Sequence, residues 1–451
     1  MSEPPLQPGD AVSVRLDSLA IGGEAVGRHE GMAVFAMWGC PGDEAEVEIT
    51  QVARRFARGV VREVVTPSAD RVQPPCPHFG DCGGCQLQHI SYPAQLRHKT
   101  AMVRDALARI GSLESVEVGD MLRASHPWRY RGRVDYRAQL DADGKVRLGF
   151  LRHHSHDVVG LLECRIQHPL AERVRRAVER LLPRFAPGLE ERRALLNVEV
   201  LSSFAGPEGV ATLVCLGRPP FVPPLAEALT AEVDGLTGVC AAQRRGHGAV
   251  HRSPAEVVVG SKHVEERLGA GSYRVSADSF FQTNPAQAAG VVEMVREWAQ
   301  ADETQVVVDA YTGVGTFLLP LAEGASSAVG VEADNSALQD ARSNALRWGL
   351  GNVTLQRGRV ERALPRLAAK GWRPDVVVLD PPRRGCGPIV CAHVAKLTPR
   401  RIILVSCHPA MLGRDLKSLA ELGYPVRRVQ PVDMFPQTWH VEAVALCERA
   451  T

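Results

Sequence analysis

Residues 271–451 constrain the fold most, because short apolar runs alternate there with helix-like segments. Apolar runs separated by helical patterns are typical of buried parallel strands joined by helices. The fold class is therefore α/β, with an open and mostly parallel sheet at the C-terminal end. We predict its strands at 305–310, 328–332, 353–356, 375–380, 401–406, near 426–432 and near 440–448.

The first 66 residues differ from this pattern, because their β-rich runs are short and are separated by glycines. Such spacing is typical of a small β-barrel or sandwich. Its fourth run holds Phe56 among arginines, which suits RNA backbone contact and base stacking. A solvated edge strand protected by charge is the competing interpretation. The arginines are Arg54, Arg55, Arg58 and Arg62.

A helix is predicted from Ser91, a plausible N-cap, to Gly111, which stops it. From 118 to 270 the pattern is mixed α and β. The stretch from Met121 to Arg152 is the most basic part of the chain, with eight Lys or Arg against three Asp. It favours an RNA-facing surface, with a solvated sheet face as the alternative. Its interleaved aromatic residues are Trp128, Tyr130 and Tyr136.

Length and charge limit the possible classes of protein. With 451 residues the chain needs two or three domains, and a net charge of +2 requires any nucleic acid to meet local basic patches. We find no signal-peptide pattern and no apolar run of membrane-spanning length, so we expect a cytoplasmic protein without a membrane partner. Eleven cysteines in such a chain favour metal ligands or a reactive thiol over disulfides.

A cofactor site is predicted in VVVDAYTGVGTF, where a strand and an acidic residue precede a glycine-rich turn. Glu332 ends the next strand, where it can accept hydrogen bonds from a ribose. A nicotinamide dinucleotide fits less well, because Leu318 stands where its fingerprint has a small residue and Asp309 would repel a pyrophosphate. A cationic sulfonium with an amino-acid tail suits Asp309 better.

Two further motifs follow predicted strands. In LDPPRRG, Asp380 is an acceptor at a strand end, and Arg383 stands where methyltransferases of amino groups favour an aromatic residue. In LVSCHPAMLGRD, Cys407 follows a strand and Pro409 can open a helix, whose dipole would favour the thiolate. A buried packing cysteine is the alternative; the neighbourhood of Asp309 and Asp380 favours a nucleophile.

The connector holds Cys76, Cys82 and Cys85 in a glycine-rich loop. Thiolates at this spacing can converge on a metal. Spacing alone leaves zinc slightly ahead of an iron–sulfur cluster.

Taken together, these motifs resemble the RNA uracil-C5 methyltransferase family, in its RumA-like branch with a TRAM barrel and an iron–sulfur cluster. The resemblance covers nearly the whole chain, including CPHFGDCGGCQLQH, DSFFQTNPAQ, DAYTGVGTF, LDPPRRG, VSCHPAMLGRD and MFPQTWHVEAVAL. It implies a Rossmann-like seven-stranded methyltransferase domain (91–117 plus 271–451), a TRAM-like β-barrel (1–66) and a central mixed α+β domain (67–90 plus 118–270).

The resemblance also implies roles for single residues. Cys407 would be the nucleophile that adds to uracil C6, and Glu442 the base that removes the C5 proton. S-adenosylmethionine would be bound by Gln282, Tyr311, Glu332 and Asp380. Relatives often have an acidic residue near the adenine, after the glycine of the third-strand loop, where this chain has Arg359.

Cys164 is implied as the fourth ligand, beside Cys76, Cys82 and Cys85, of a [4Fe–4S] cluster. The expected partner is RNA, with 23S ribosomal RNA ahead of transfer RNA, and the expected state is a monomer. Cytosine-C5 methylation is a rival chemistry, and a non-catalytic RNA-binding protein on a methyltransferase fold is a rival from another class. HVEAVAL and FFQTN favour uracil, and the intact Cys407, Glu442 and Asp380 argue against a non-catalytic protein.

Overall fold

The computed structural model describes residues 6–244 and 252–450. Near the N-terminus, antiparallel strands and one parallel pair close into a barrel in the order β1-β2-β3-β5-β4. Alternate side chains such as Val14, Leu16, Val47 and Ile49 fill it. The predicted fourth run is two strands, because the chain turns at 53–55. The strands are β1 (Ala11–Leu19), β2 (Ala25–His29), β3 (Met32–Met37), β4 (Glu44–Val52) and β5 (Phe56–Thr66).

A helix, α1 (Tyr92–Ala106), follows the connector and ends in a π-helical turn, Leu107–Gly111. Ser91 is at its N-cap as predicted, but its side chain makes no capping hydrogen bond. The short strand β6 (Glu117–Val118) comes next.

The central region is built on a mostly antiparallel sheet in the order β13-β12-β11-β10-β7-β8-β9, with helices packed on it. A separate hairpin, β14 with β15, connects this region to the C-terminal one. The strands are β7 (Arg133–Leu140), β8 (Val146–Leu151), β9 (Val158–Gly160), β10 (Leu195–Ser202), β11 (Gly209–Leu216), β12 (Leu236–Arg244), β13 (Glu256–Gly260), β14 (His263–Leu268) and β15 (Gly271–Ser276). The helices are α2 (Pro169–Phe185), α3 (Leu189–Arg193) and α4 (Val222–Glu232).

The C-terminal sheet has the order β18-β17-β16-β19-β20-β22-β21-β6, with helices on both faces. Within the described residues it has eight strands, one more than predicted, because β6 pairs with β21. The strands are β16 (Val306–Asp309), β17 (Ser327–Glu332), β18 (Val353–Arg357), β19 (Val376–Leu379), β20 (Arg401–Ser406), β21 (Val426–Val432) and β22 (Glu442–Glu448). The helices are α5 (Pro285–Ala299), α6 (Leu318–Ala322), α7 (Asn335–Arg347), α8 (Val360–Ala369), α9 (Gly387–Lys396) and α10 (Pro409–Glu421).

Strands β16 to β20 are parallel, and β22 runs against β20. The carboxyl ends of the parallel strands therefore meet the start of β22 at one edge of the sheet. Ligands bind at this edge in open α/β sheets. Within the described chain, no helix is both long and apolar enough to cross a membrane.

Candidate active site at the carboxyl edge of the sheet

Four acidic or thiol side chains stand at this edge on adjacent strands. Asp309 ends β16, Asp380 directly follows β19 and Cys407 directly follows β20. Glu442 begins β22, and the pairing of Ser406 with Ala443 places it beside Cys407. The sheet thus gathers residues that the sequence separates by more than a hundred positions.

The carboxyls of Asp309 and Asp380 are shielded from water. Burial raises the pKa of Asp309 to about 7. Burial, and then the charge of Asp309, raises the pKa of Asp380 to about 7. Gln282 Nε2 donates a hydrogen bond to Asp380 Oδ2 across 3.3 Å, which joins the FFQTN loop to the strand end.

The surroundings of Cys407 and Glu442 also favour their protonated forms. Burial, and then the nearby Glu442 and Asp380, raises the pKa of the Cys407 thiol to about 12. Burial and Asp380 raise the pKa of Glu442 well above its usual value. Pro409 opens α10 as predicted. Desolvation and two carboxyls oppose the thiolate that the helix dipole favours.

The loop after β16 is shaped for a polar ligand. Asp309 Oδ2 and Thr312 Oγ1 are buried without a hydrogen-bond partner. Gly315 has a φ of +98°, and a Cβ there would lie 2.8 Å from Leu319 Cγ, so the tight turn requires glycine. The unpaired acidic oxygen suits the cationic end of S-adenosylmethionine in charge.

Glu332 does more in this loop than the sequence indicated. Its Oε2 accepts a hydrogen bond from Gly313 N at 3.0 Å. Its Oε1 accepts from the backbone N–H groups of the next two residues at 2.6 and 2.7 Å. The Tyr311 side chain is partly buried, and burial raises the pKa of its hydroxyl, which lies against Cys386. Arg359 is exposed at the N-cap of α8.

An aromatic cluster lies beside Cys407 and Glu442, and sequence reasoning missed it. The rings of Trp439 and His440 are 4.1 Å apart, and His408 and Phe435 pack edge-on against them. Burial lowers the pKa of His440 to about 3, so its ring is neutral. The motif FPQTWHVE contains three of these rings, and its density of aromatic residues was the available signal.

The four predicted metal-binding cysteines, Cys76, Cys82, Cys85 and Cys164, line one cavity. Gly84 N donates a hydrogen bond to Cys82 Sγ at 3.4 Å. Burial raises the pKa values of the Cys82 and Cys164 thiols. In the part of the chain that the structure describes, no group of three or more His, Cys, Asp or Glu side chains is arranged as a metal site. The donor set of four thiols still fits a metal cluster.

Exposure separates the residues of the two predicted RNA-facing stretches into those that a partner can reach and those that it cannot. Arg54 and Arg55 are exposed at the turn between β4 and β5. Arg58 instead pairs with Glu24 and covers Phe56. In the basic stretch, the expectation of exposed aromatic residues is wrong for Tyr130 and Tyr136, which are buried. Tyr136 points into the core from β7, whereas Tyr130 precedes the sheet and donates a hydrogen bond to Pro436 O.

Comparisons with known proteins agree with this architecture. Residues 91–450 match the family described as tRNA (uracil-5-)-methyltransferase, and residues 5–61 match the TRAM domain. An uncharacterized RNA methyltransferase of Halalkalibacterium halodurans is 34% identical over 98% of each chain. Another, of Thermosynechococcus vestitus, is 36% identical over 98% of each chain. The predicted resemblance to uracil-5 methyltransferases with a TRAM barrel is confirmed.

A solved structure has the same fold. The tRNA (uracil-54, C5)-methyltransferase of Pyrococcus abyssi, in complex with S-adenosyl-L-homocysteine, has a TM-score of 0.74 to this chain. The two are 24% identical, and the match covers 96% of this chain and 99% of that one. This likeness confirms the predicted fold class.

Proposed function

Because the chain belongs to the tRNA (uracil-5-)-methyltransferase family, we propose that it methylates carbon 5 of a uracil base in RNA, with Cys407 as nucleophile and Glu442 as base. The observation that carries this proposal is the adjacency of Cys407 and Glu442 across the β20–β22 pair. When bound, S-adenosylmethionine supplies the methyl group and a positive charge.

Cys407 makes the base reactive. Carbon 5 of uracil is too electron-poor to attack a methyl group by itself. When Cys407 Sγ bonds to C6, the electrons of the C5–C6 double bond move into an enolate, and C5 becomes a nucleophile. This divides one difficult step into easier ones. C5 then bonds to the methyl carbon, and the bond between that carbon and the sulfonium sulfur breaks.

Glu442 completes the reaction. The methylated ring carries an extra proton at C5, which a base must remove before Sγ can leave C6. Glu442 stands beside Cys407 and is 5% exposed, so water competes poorly for this task. Loss of the proton restores the double bond and releases the thiolate.

A bound cation would change the charge balance of this site. Desolvation and neighbouring carboxyls raise the pKa values of Cys407, Glu442 and Asp380. A cation beside them favours their ionised forms. Asp309 and Asp380 would hold the cationic cofactor, with Gln282, Tyr311 and Glu332 around it. A bound cofactor would therefore favour the Cys407 thiolate, which is the reactive form.

The rival interpretations are weaker. Cytosine-C5 methylation uses a cysteine in the same way, but the family match favours uracil. A non-catalytic RNA-binding protein has no need to bury Asp309 and Glu442 at the sheet edge that also holds Asp380, because burying each carboxyl costs desolvation energy.

We propose that the substrate is 23S ribosomal RNA, because a TRAM barrel together with the four cysteines resembles enzymes that act on that RNA. Transfer RNA is the second candidate, and it is favoured by the description of the matching family. Mapping 5-methyluridine in ribosomal and transfer RNA of the host, with and without the gene, tests both. If deletion of the gene removes 5-methyluridine from one position in 23S ribosomal RNA, the first candidate is supported. If it removes 5-methyluridine from a transfer RNA, the second is supported. An unchanged pattern would contradict the methylation proposal.

We also propose that Cys76, Cys82, Cys85 and Cys164 hold a [4Fe–4S] cluster. Their common cavity and the N–H group directed at Cys82 support this. Anaerobically purified protein should contain iron and acid-labile sulfide in equal amounts. Cys85→Ser should lose both, whereas Cys215→Ser, buried elsewhere in the central core, should keep them. Zinc in place of iron would contradict the cluster.

We further propose that the barrel and central region bind RNA while residues 91–117 and 271–451 transfer the methyl group. None of the eleven cysteines forms a disulfide within the described residues, which supports a reducing compartment such as the cytoplasm. One chain supplies Asp309, Asp380, Cys407 and Glu442, which supports a monomer. Light scattering at working concentration checks the last point.

A further inference from the structure

A second cavity, of about 470 Å³, opens between the central region and the start of α5. We call it the aromatic pocket, and we define it by Trp128, Tyr130, Phe204, His126, Arg129 and Asn284. Its volume lies within the range of small-molecule sites, roughly 300–1,000 Å³. It contains none of the residues assigned above to methyl transfer or to the cluster.

The pocket is joined to the segment that leads to the active site. Tyr130 Oη donates a hydrogen bond to Pro436 O at 2.9 Å, and Asn284 Nδ2 donates to Met434 O at 3.1 Å. The backbone at 434–436 continues to Trp439 and Glu442. Asn284 also lies two residues after Gln282, which donates to Asp380.

Phe204 is an exposed ring held in place. It is 42% exposed, yet its turn is fixed. Phe204 N donates a hydrogen bond to Glu266 Oε2 at 2.8 Å, and Ser203 Oγ donates to Glu265 O at 2.6 Å. The ring also packs edge-on against His168, with centroids 4.8 Å apart. Phe204 lines the same pocket as Trp128 and Tyr130, so the ring is part of an aromatic surface rather than a single exposed residue.

The charge around the pocket suits a phosphate backbone. His126 and Arg129 are exposed at its rim, and Arg123 is exposed nearby. No acidic residue is among the described residues that line it. Aromatic walls beside cationic side chains are the combination that single-stranded nucleic acids bind.

Resting on the proposed function, we propose that the aromatic pocket binds an unstacked RNA base other than the uracil to be methylated. A base must leave its stack to reach Cys407, and its neighbours then lose a stacking partner. One such neighbouring base would stack on Trp128 and Phe204, and Arg129 would bind the phosphate of that nucleotide. The pocket would thereby stabilise the opened RNA.

The test compares two fluorescein-labelled probes by anisotropy, without S-adenosylmethionine. One is a short single-stranded RNA of mixed sequence, and the other is an abasic ribose–phosphate strand of the same length and charge. Trp128→Ala and Phe204→Ala should each raise the Kd for the base-bearing RNA roughly 5- to 100-fold, the range expected for loss of one stacked base. Both should leave the Kd for the abasic strand unchanged.

Leu346→Ala is the matched control, because Leu346 is an exposed apolar residue on α7, outside the pocket. It should change neither Kd. Trp128→Phe should restore most of the base-dependent affinity. Unchanged binding in both pocket variants, or equal weakening for both probes, would overturn the proposal. Because this readout needs no turnover, it is independent of whether the wild-type protein forms 5-methyluridine.

Discussion

Lys99 Nζ lies 2.6 Å from Asp433 Oδ1, and both side chains are completely buried. The same ammonium donates a hydrogen bond to Phe435 O at 3.0 Å, and Tyr92 Oη donates to Asp433 Oδ2 at 2.8 Å. The residues of α1 thereby fix the loop that leads to Trp439 and Glu442. The position of the proposed base thus depends on a helix more than 300 residues earlier in the chain.

Lys99→Met should destabilise the protein by about 3–5 kcal/mol, because it leaves the Asp433 carboxylate buried without its cation. Urea denaturation measures this loss. Arg97→Met is the matched control on the same helix, since the pair of Arg97 with Asp70 is largely exposed and its removal should cost about 0–1 kcal/mol. Equal losses in the two variants would show that the buried pair has no special role.

Glu442→Gln should stop the reaction after methyl transfer. An amide cannot remove the C5 proton, so the methylated RNA should remain bonded to Cys407. Denaturing gels with ordinary RNA and S-adenosylmethionine should show a protein–RNA adduct in this variant and very little in the wild type. Glu361→Gln, which changes a glutamate paired with Arg384, should behave as the wild type does. Normal turnover by Glu442→Gln would contradict its role.

Asp309 and Asp380 should make the ligand-free protein less stable as pH rises. Burial raises their pKa values from about 4 in the unfolded chain to about 7 in the fold, so the folded state binds their protons more tightly. Their stabilising contribution is complete below about pH 4 and is lost as pH rises to about 7. Thermal denaturation should show a smaller decline over this interval for Asp309→Asn. If the wild type became more stable than the variant as pH rises over this interval, the predicted direction of the pH dependence would be contradicted.

The same carboxyls should make cofactor binding depend on pH. The sulfonium cation favours ionised Asp309 and Asp380, so its binding should release protons near neutral pH. Calorimetry should show a stronger affinity for S-adenosylmethionine at pH 8 than at pH 6. S-adenosylhomocysteine lacks the sulfonium charge and is the matched ligand, with a smaller change expected. Identical pH profiles for the two ligands would be the opposing result.

Arg54 and Arg55 should contribute charge to RNA binding. Both are exposed on the barrel, and removing one side chain that binds a phosphate should reduce the slope of log Kd against log salt by roughly 1. Filter binding of Arg54→Ala and Arg55→Ala over a salt series measures the slope. Arg62→Ala is the control, because Glu48 already pairs with Arg62 at 2.6 Å. An equal effect of Arg62→Ala would place the RNA elsewhere on the barrel.

Local patterns predicted much of this fold. The C-terminal strands lie at the predicted apolar runs. Parallel strands that are buried on both faces consist almost entirely of apolar residues, so the sequence marks them clearly. Asp309, Asp380 and Cys407 stand at the predicted strand ends. The turn at 53–55 was missed because it contains neither glycine nor proline.

What was missed depends on contacts between distant segments. Tyr136 points inward because of packing on the central sheet, and Tyr130 because its hydroxyl donates to Pro436 O, more than 300 residues away. The high pKa of Cys407 arises from its burial beside Asp380 and Glu442, and the buried pair of Lys99 with Asp433 joins opposite ends of the chain. Such effects appear only when the sheet brings the segments together.

The bond between Cys407 and the pyrimidine ring is the central claim, and RNA containing 5-fluorouridine tests it most directly. Fluorine at C5 cannot leave as a cation, so the reaction should stop with protein and RNA joined. Mass spectrometry of the digested complex should locate the bond at Cys407, and Cys407→Ala should form no adduct. Methylation without any adduct, or an adduct through another residue, would contradict the account.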